Sequence, residues 1–218
     1  MLSLFLLRHG ETEFSQQDRF CGEIDAPLTA AGREMAARFA AAYGARDWSA
    51  IVTSTRARAI DSAAPLALET GVPVEPDPRF DEMSYGAWQG LSKSEAAARD
   101  ADYFARWQLD PSIGPPLGEA PWAVAARALA AIEDLRARRP AGSVLVVSHK
   151  ALLRILLCQL LAIDLRHYRR GAWPVGAVTQ LELGAGGPTL RRFADVQHLT
   201  ASGDGETWPP SPLTAASV

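Results

Sequence analysis

At two places in this chain a histidine follows abruptly on a buried-looking run. Leu2 to Leu7 is short and mostly apolar, and it stops at Arg8-His9-Gly10-Glu11-Thr12, where two basic groups and a glycine succeed the aliphatics. Val144-Leu145-Val146-Val147 stops in the same way at Ser148-His149. Runs of this kind suit fully buried strands better than helices. An open α/β sheet places its ligand site at the carboxyl ends of its strands. His9 and His149 would therefore emerge together if their strands are adjacent and parallel. The chain has four histidines, and finding two of them so placed outweighs reading each alone as an interior or solvated residue. A neutral imidazole can attack with one nitrogen when an acceptor holds the N–H of the other. A third strand end, after Ala50-Ile51-Val52-Thr53, carries Ser54-Thr55-Arg56-Ala57-Arg58. Its two arginines enter a helix whose N-terminus favours anions. Asp77, Asp81 and Glu82 lie in a turn-rich segment from Pro76 to Leu91 and offer carboxyls for proton transfer.

These groups need elements to position them. Thr29 is expected to cap a helix that runs to about Tyr43, with Met35, Phe39 and Tyr43 on one stripe. Ser54 is expected to cap a second helix through about Glu69, ended by Gly71 and Pro73. Val72 to Glu75 is a candidate third strand. Residues 92–121 hold a helix candidate around Glu95 to Trp107 and a Pro/Gly-rich segment from Asp110 to Gly118. An insertion of this kind is expected to act as a lid or specificity region. Pro121 suits the first turn of the next helix, and Arg136, Arg138, Arg139 and Pro140 form its stop. A strongly apolar helix follows His149 to about Leu161. Thr179 to Leu183 and Thr189 to Phe193 flank Gly184-Ala185-Gly186-Gly187, a hairpin signal. Strands alternating with helices, followed by a hairpin, imply a three-layer α/β/α sandwich with a mostly parallel central sheet and an antiparallel edge strand. Residues 1–198 read as a single domain, and 199–218, rich in Gly, Ser, Thr and Pro, as a flexible tail.

Composition narrows the function classes. A formal charge of −3 argues against a nucleic-acid-coating role without excluding a local positive pocket. Cys21 and Cys158 have neither metal-ligand spacing nor a disulfide framework and read as reduced thiols. Met1 to Leu7 lacks the basic start and long apolar core of a secretory signal. Leu152 to Ile163 is too short to span a bilayer. The expectation is a cytoplasmic protein with no membrane, nucleic-acid or metal partner.

Arg8-His9-Gly10-Glu11-Thr12 together with Ser148-His149 resembles the signature of the histidine phosphatase superfamily, also called the phosphoglycerate mutase-like family. Ser54 to Ala63 is similar to that family's S-x-x-x-R-A-x-x-T-A segment. The match puts Arg58, not Arg56, at the phosphate-binding arginine and leaves Arg56 as a surface residue. Phe80 to Leu91 is similar to the family's L-x-E-x-x-x-G-x-x-x-G segment and puts Glu82, not Asp81, at the proton donor. Asp25-Ala26-Pro27-Leu28-Thr29 with Gly32, and Pro116-Leu117-Gly118-Glu119, are also family-like. The resemblance implies that His9 is phosphorylated and that Arg8, Arg58 and His149 hold the phosphoryl oxygens, a protonated His149 adding a third positive donor. Glu82 would protonate the leaving alkoxide and then activate water. Such catalysis is mainly positioning and charge stabilisation, and no metal or cofactor is expected.

The chain departs from the family pattern at several positions. Ser15 stands where asparagine is common, Ser62 where threonine is usual, and Ala120 replaces a serine. Lys150 follows His149 where glycine is usual. A lysine in the first helical turn opposes the dipole, which makes Lys150, beside Ser15 and Lys93, a candidate contact to the substrate anion. Lys93 matches a substrate-contact position of the phosphoglycerate mutases. Yet Met83 and Trp107-Gln108 stand where those enzymes carry arginines that hold their intermediate's carboxylate. The expected activity is hydrolysis of small phosphomonoesters. Activity as a 2,3-bisphosphoglycerate-dependent mutase is the alternative, and a non-catalytic phospho-ligand-binding scaffold ranks below both. Trp88, Tyr103, Trp107 and Trp122 are candidates to line a pocket for the organic leaving group. His167 and His198 read as structural, and Arg166, Arg169 and Arg170 as solvated basic surface.

Overall fold

The computed structural model describes residues 1–200. Its opening strand β1 (Leu2–Arg8) lies inside a six-stranded sheet with β2 (Trp48–Thr53), β3 (Val74–Pro76), β4 (Gly142–Ser148), β5 (Val178–Gly184) and β6 (Gly187–Asp195), in the order β3-β2-β4-β1-β5-β6. β1 to β4 run parallel, whereas β5 and β6 form an antiparallel hairpin on the β1 side. The antiparallel edge expected from the hairpin signal is this β5–β6 pair.

Successive side chains of a strand point to opposite faces, and here both faces are buried. Leu4 and Leu6 of β1, with Val144 and Val146 of β4, belong to one apolar layer. That layer also holds Ile132 and Leu135 of one helix (Pro121–Arg138) and Leu152 and Leu156 of the next (Lys150–Leu160). Phe5 and Leu7, with Leu145 and Val147, pack instead with Phe39 and Leu66. Those two residues lie on the helices Ala30–Tyr43 and Ala57–Thr70. In chain order the helices are α1 (Glu13–Gln16), α2 (Ala30–Tyr43), α3 (Ala57–Thr70), α4 (Lys93–Arg99), α5 (Ala101–Leu109), α6 (Pro121–Arg138) and α7 (Lys150–Leu160). None is long and apolar enough to cross a membrane among the described residues.

Three boundaries differ from expectation. α3 starts at Ala57 with Arg56 as its N-cap and no side-chain cap, because the Ser54 hydroxyl is engaged elsewhere. The helix expected over 95–107 is two helices, broken where the Asp100 carboxylate accepts from Tyr103 N–H at 2.9 Å and caps α5. Leu199, the first residue of the tail expected over 199–218, belongs to an ordered element. A 3-10 turn, Gln197–Leu199, is tied to α2 by Arg38 donating to Leu199 O at 2.9 Å. Residues 201–218 lie outside the described part of the chain.

Candidate active site

The register of β1 on β4 places Arg8 opposite Ser148, and His9 N–H donates to Ser148 O at 2.9 Å. The two histidines therefore leave neighbouring parallel strands side by side. Their ring centroids are 5.1 Å apart. The tight turn after β1 depends on Gly10. A Cβ there would come within 2.5 Å of Gly32 O, in the first turn of α2. Gly10 N–H donates to the Ser62 hydroxyl at 2.9 Å, and that hydroxyl donates to Arg58 O at 2.7 Å.

His9 Nδ1–H donates to Gly10 O at 2.7 Å, which leaves the lone pair on Nε2. Nε2 has no hydrogen-bond partner among the described residues, and His9 lines a cavity of about 480 Å³. Burial first, and then the charges of Arg58 and Arg8, hold the His9 imidazole well below its ordinary pKa, so the ring is neutral.

His149 is fully buried and does not line that cavity. Its Nδ1 accepts from Arg58 Nε–H at 3.1 Å, so the proton sits on Nε2 and faces the Ser54 hydroxyl at 2.7 Å. Ser54 in turn donates to Asp81 Oδ1 at 2.7 Å. Burial and the adjacent Arg58 and His9 push the His149 pKa far down. The protonated His149 expected as a phosphate donor is thus a neutral ring behind Arg58, because three cationic or titratable groups share a dry volume.

Arg8 and Arg58 both line the cavity, with different freedom. Arg58 is 1% exposed and donates to His149, Ile24 O (2.7 Å) and Gly22 O (2.9 Å). A guanidinium has five N–H donors, so two remain. Arg8 donates to Trp173 O at 2.7 Å, and its Nε is buried without a partner among the described residues. Burial lowers its pKa to about 10.

The two acids divide the work. Asp81 does not line the cavity and accepts from Ser54, Thr55 N–H and the Thr55 hydroxyl. Arg56 pairs with it at 3.3 Å and is not the solvated surface residue expected. Glu82 lines the cavity. Its Oε1 accepts from Met83 N–H (2.9 Å) and Leu152 N–H (3.1 Å), and its Oε2 from Ala151 N–H (3.2 Å). It thereby holds the first turn of α7, where a negative charge also complements the helix dipole.

Ser15 lines the cavity, but its hydroxyl donates to Thr12 O at 2.8 Å and accepts from Thr12 N–H in a capping box around α1. Its only proton is therefore not available to a ligand. Lys93 and Lys150 line the cavity as expected, and both face Asp18, at 2.7 and 3.5 Å. Of the four candidate aromatics only Trp107 reaches the cavity. Trp88 is buried among Phe20, Phe104 and Trp107, and Tyr103 donates to Gly114 O. Trp122 is 68% exposed.

Among the lining residues with no sequence expectation or a different one are Asp18, Arg154, Tyr168 and Arg169. Arg169 is not solvated. It lies 3.9 Å over the Trp107 ring and donates to the Tyr168 hydroxyl, because the 3-10 turn Leu165–Arg170 buries Tyr168 and carries its neighbour inward. Arg166 and Arg170 are exposed as expected. Arg154 carries a readable signal, since it sits four residues after Lys150 on one helix face. Asp18 carries none. Among the described residues no cluster of three or more His, Cys, Asp or Glu side chains could hold a metal ion.

Known proteins resemble this chain in sequence and in fold. A bifunctional protein of Mycobacterium tuberculosis is 39% identical over 71% of this chain, although the chain spans only 43% of that relative's length. A glucosyl-3-phosphoglycerate phosphatase of Mycolicibacterium vanbaalenii is 34% identical over 79% of this chain and 77% of its own. The solved structure of YhfR from Bacillus stearothermophilus superposes with a TM-score of 0.86 at 30% identity, covering 92% of this chain and 100% of that one. The family model described as histidine phosphatase superfamily (branch 1) matches residues 4–196. With that span and the paired histidines at the sheet edge, the chain belongs to the histidine phosphatase superfamily.

Proposed function

We propose that this protein is a phosphatase that hydrolyses small phosphomonoesters through a phosphohistidine on His9. The observation that carries the reading is the His9 tautomer: Nδ1–H is held by Gly10 O, and Nε2 is left free at the cavity between two arginines. In the first step the Nε2 lone pair forms the N–P bond while the ester P–O bond breaks, and Glu82 gives the departing alkoxide its proton. Oε2 of Glu82 accepts one hydrogen bond and keeps a lone-pair site for that proton. In the second step water attacks phosphorus, Glu82 takes the water's proton, and the N–P bond breaks to return His9. Arg8 and the two unused N–H groups of Arg58 face the charge that builds on the phosphoryl oxygens. His149 acts on the reaction as a positioning residue for Arg58.

The mutase alternative draws support from Lys93 at the cavity wall. Against it stand Met83 and Trp107, both buried apolar residues at positions where the phosphoglycerate mutases carry the arginines that hold their intermediate's carboxylate. Release of p-nitrophenol from its phosphate ester, with acid-labile phosphate trapped on the wild-type chain and neither seen for His9→Ala, tests the proposal. Turnover that survives in His9→Ala would overturn it, as would isomerisation of 3-phosphoglycerate primed by 2,3-bisphosphoglycerate that outpaces phosphate release.

A further inference from the structure

The phosphoryl group accounts for Arg8 and Arg58, yet five more cations, Arg19, Lys93, Lys150, Arg154 and Arg169, line the same cavity, of which Arg19 is paired with Glu95. Two of these guanidinium groups are under-partnered. Arg154 makes no hydrogen bond or ion pair among the described residues, and its Nε is buried without a partner; Nη2 of Arg169 is likewise buried and unpaired. A buried cationic donor without an acceptor is costly, so a site that retains two of them is built for an anion that comes and goes.

Asp18 is the group nearest to filling that role. Its carboxylate lies 2.7 Å from Lys93 Nζ and 3.5 Å from Lys150 Nζ, so one acid serves two ammonium groups. Its side chain is 59% exposed, on a residue in the left-handed region (φ 47°) just past α1. It reaches the cavity from the rim, whereas Lys150 and Arg154 stand one helical turn apart on α7 and form the wall.

We propose that Lys150, Arg154 and Arg169, with Lys93, form a second anion subsite for a carboxylate or a second phosphoryl group on the substrate, and that Asp18 occupies its edge until that group displaces it. This rests on the phosphomonoesterase reading and narrows its substrate class to phosphomonoesters with a second acidic group a few atoms away. Arg154 and Arg169 offer the planar forks that suit carboxylate and phosphate oxygens.

The test is calorimetric binding to the full-length His9→Ala chain, so that turnover is not needed. The probes are 3-phosphoglycerate, glycerol 3-phosphate (the same skeleton with the carboxylate replaced by CH2OH) and propane-1,3-diyl bisphosphate. The expected result is a preference of about tenfold or more for at least one doubly acidic probe over glycerol 3-phosphate, comparable to one charge-assisted hydrogen bond. The two arms tell carboxylate from phosphoryl. Adding Arg154→Gln or Arg169→Gln should bring the ratio towards one. Adding Asp18→Asn, which tolerates the left-handed backbone, should tighten the doubly acidic probe. Equal affinity for all three probes would overturn the subsite, and so would a ratio indifferent to both arginine variants in chains whose circular dichroism is native. Weaker binding in Asp18→Asn would remove Asp18 from the proposal. Loss of p-nitrophenyl phosphate turnover in the wild-type chain would sink the phosphatase reading, while these binding ratios would still report on the subsite.

Discussion

The inner and outer walls of the cavity are built on opposite terms. On the inner wall His9 and Arg58, with His149 behind Arg58, are buried and joined to Gly10 O, Ser54, Gly22 O and Ile24 O by hydrogen bonds of 2.7–3.1 Å. On the outer wall Asp18 and Lys93 are exposed, Arg154 has no partner among the described residues, and Lys150 has one at 3.5 Å. The difference separates two tasks. A group that must meet a phosphorus atom in one geometry gains from being held in advance, whereas a group that selects among leaving groups must be free to find its partner. The inner wall should therefore fail sharply when altered and the outer wall by degrees.

The largest effect belongs to His9. His9→Ala should lower kcat for p-nitrophenyl phosphate by about a thousandfold or more, since it removes the nitrogen that takes up the phosphoryl group. A loss of under tenfold would mean that the inner wall is not where the reaction occurs. Next is Arg58→Lys, which keeps a charge but cannot reproduce three directed bonds. Its kcat should fall by about a hundredfold or more, and the thermal midpoint should fall as well, because Gly22 O and Ile24 O lose their donors. If kcat falls with the midpoint unmoved, Arg58 does not brace the inner wall.

Gly10→Ala tests the backbone beneath His9. The new Cβ would meet Gly32 O, a backbone atom that cannot rotate away. Overpacking of this kind costs about 1–3 kcal/mol, read as a lower urea midpoint at unchanged m-value.

The next effect is a pH dependence of stability. His9 and His149 are held well below their ordinary pKa when folded. On acidification below the unfolded value of about 6.5, the unfolded chain takes up protons that the folded chain refuses. Stability should then fall with pH, by up to about 1.4 kcal/mol per pH unit for each histidine. A flat urea midpoint from pH 7 to pH 5 would contradict the buried, neutral pair.

The smallest effect lies on the outer wall. Burial, with Arg8 nearby, lowers the Lys150 pKa to about 8. Its charge is present below that pH and lost above it, so KM for phosphoesters should rise by a few-fold as pH passes about 8. Lys150→Met should raise KM at neutral pH and remove the inflection. An inflection that survives in Lys150→Met belongs to another group.

Much of the inner wall was legible because it is written in local pattern. Apolar runs that end in histidine mark strand ends, and Thr29, Gly71 and Pro121 mark the helix boundaries that were met. Ser54 shows the limit. As a cap it would satisfy the start of α3, but the approach of His149 and Asp81 from distant parts of the chain claims its hydroxyl. Arg169 was misread for a similar reason, since the burial of Tyr168 against the cavity is invisible in a basic run of residues.

The order of residues by itself determined the alternation of strands and helices, the two histidine-bearing strand ends and the hairpin, since each depends on side-chain periodicity and turn chemistry within a few neighbours. Only the tertiary structure decided that β4 inserts between β2 and β1, and with it that the two imidazoles meet, that His149 backs Arg58 without facing the cavity, and that Asp18 lies against two lysines. Strand order is chosen by how whole layers bury their faces, and that choice leaves no mark on any one stretch of the chain.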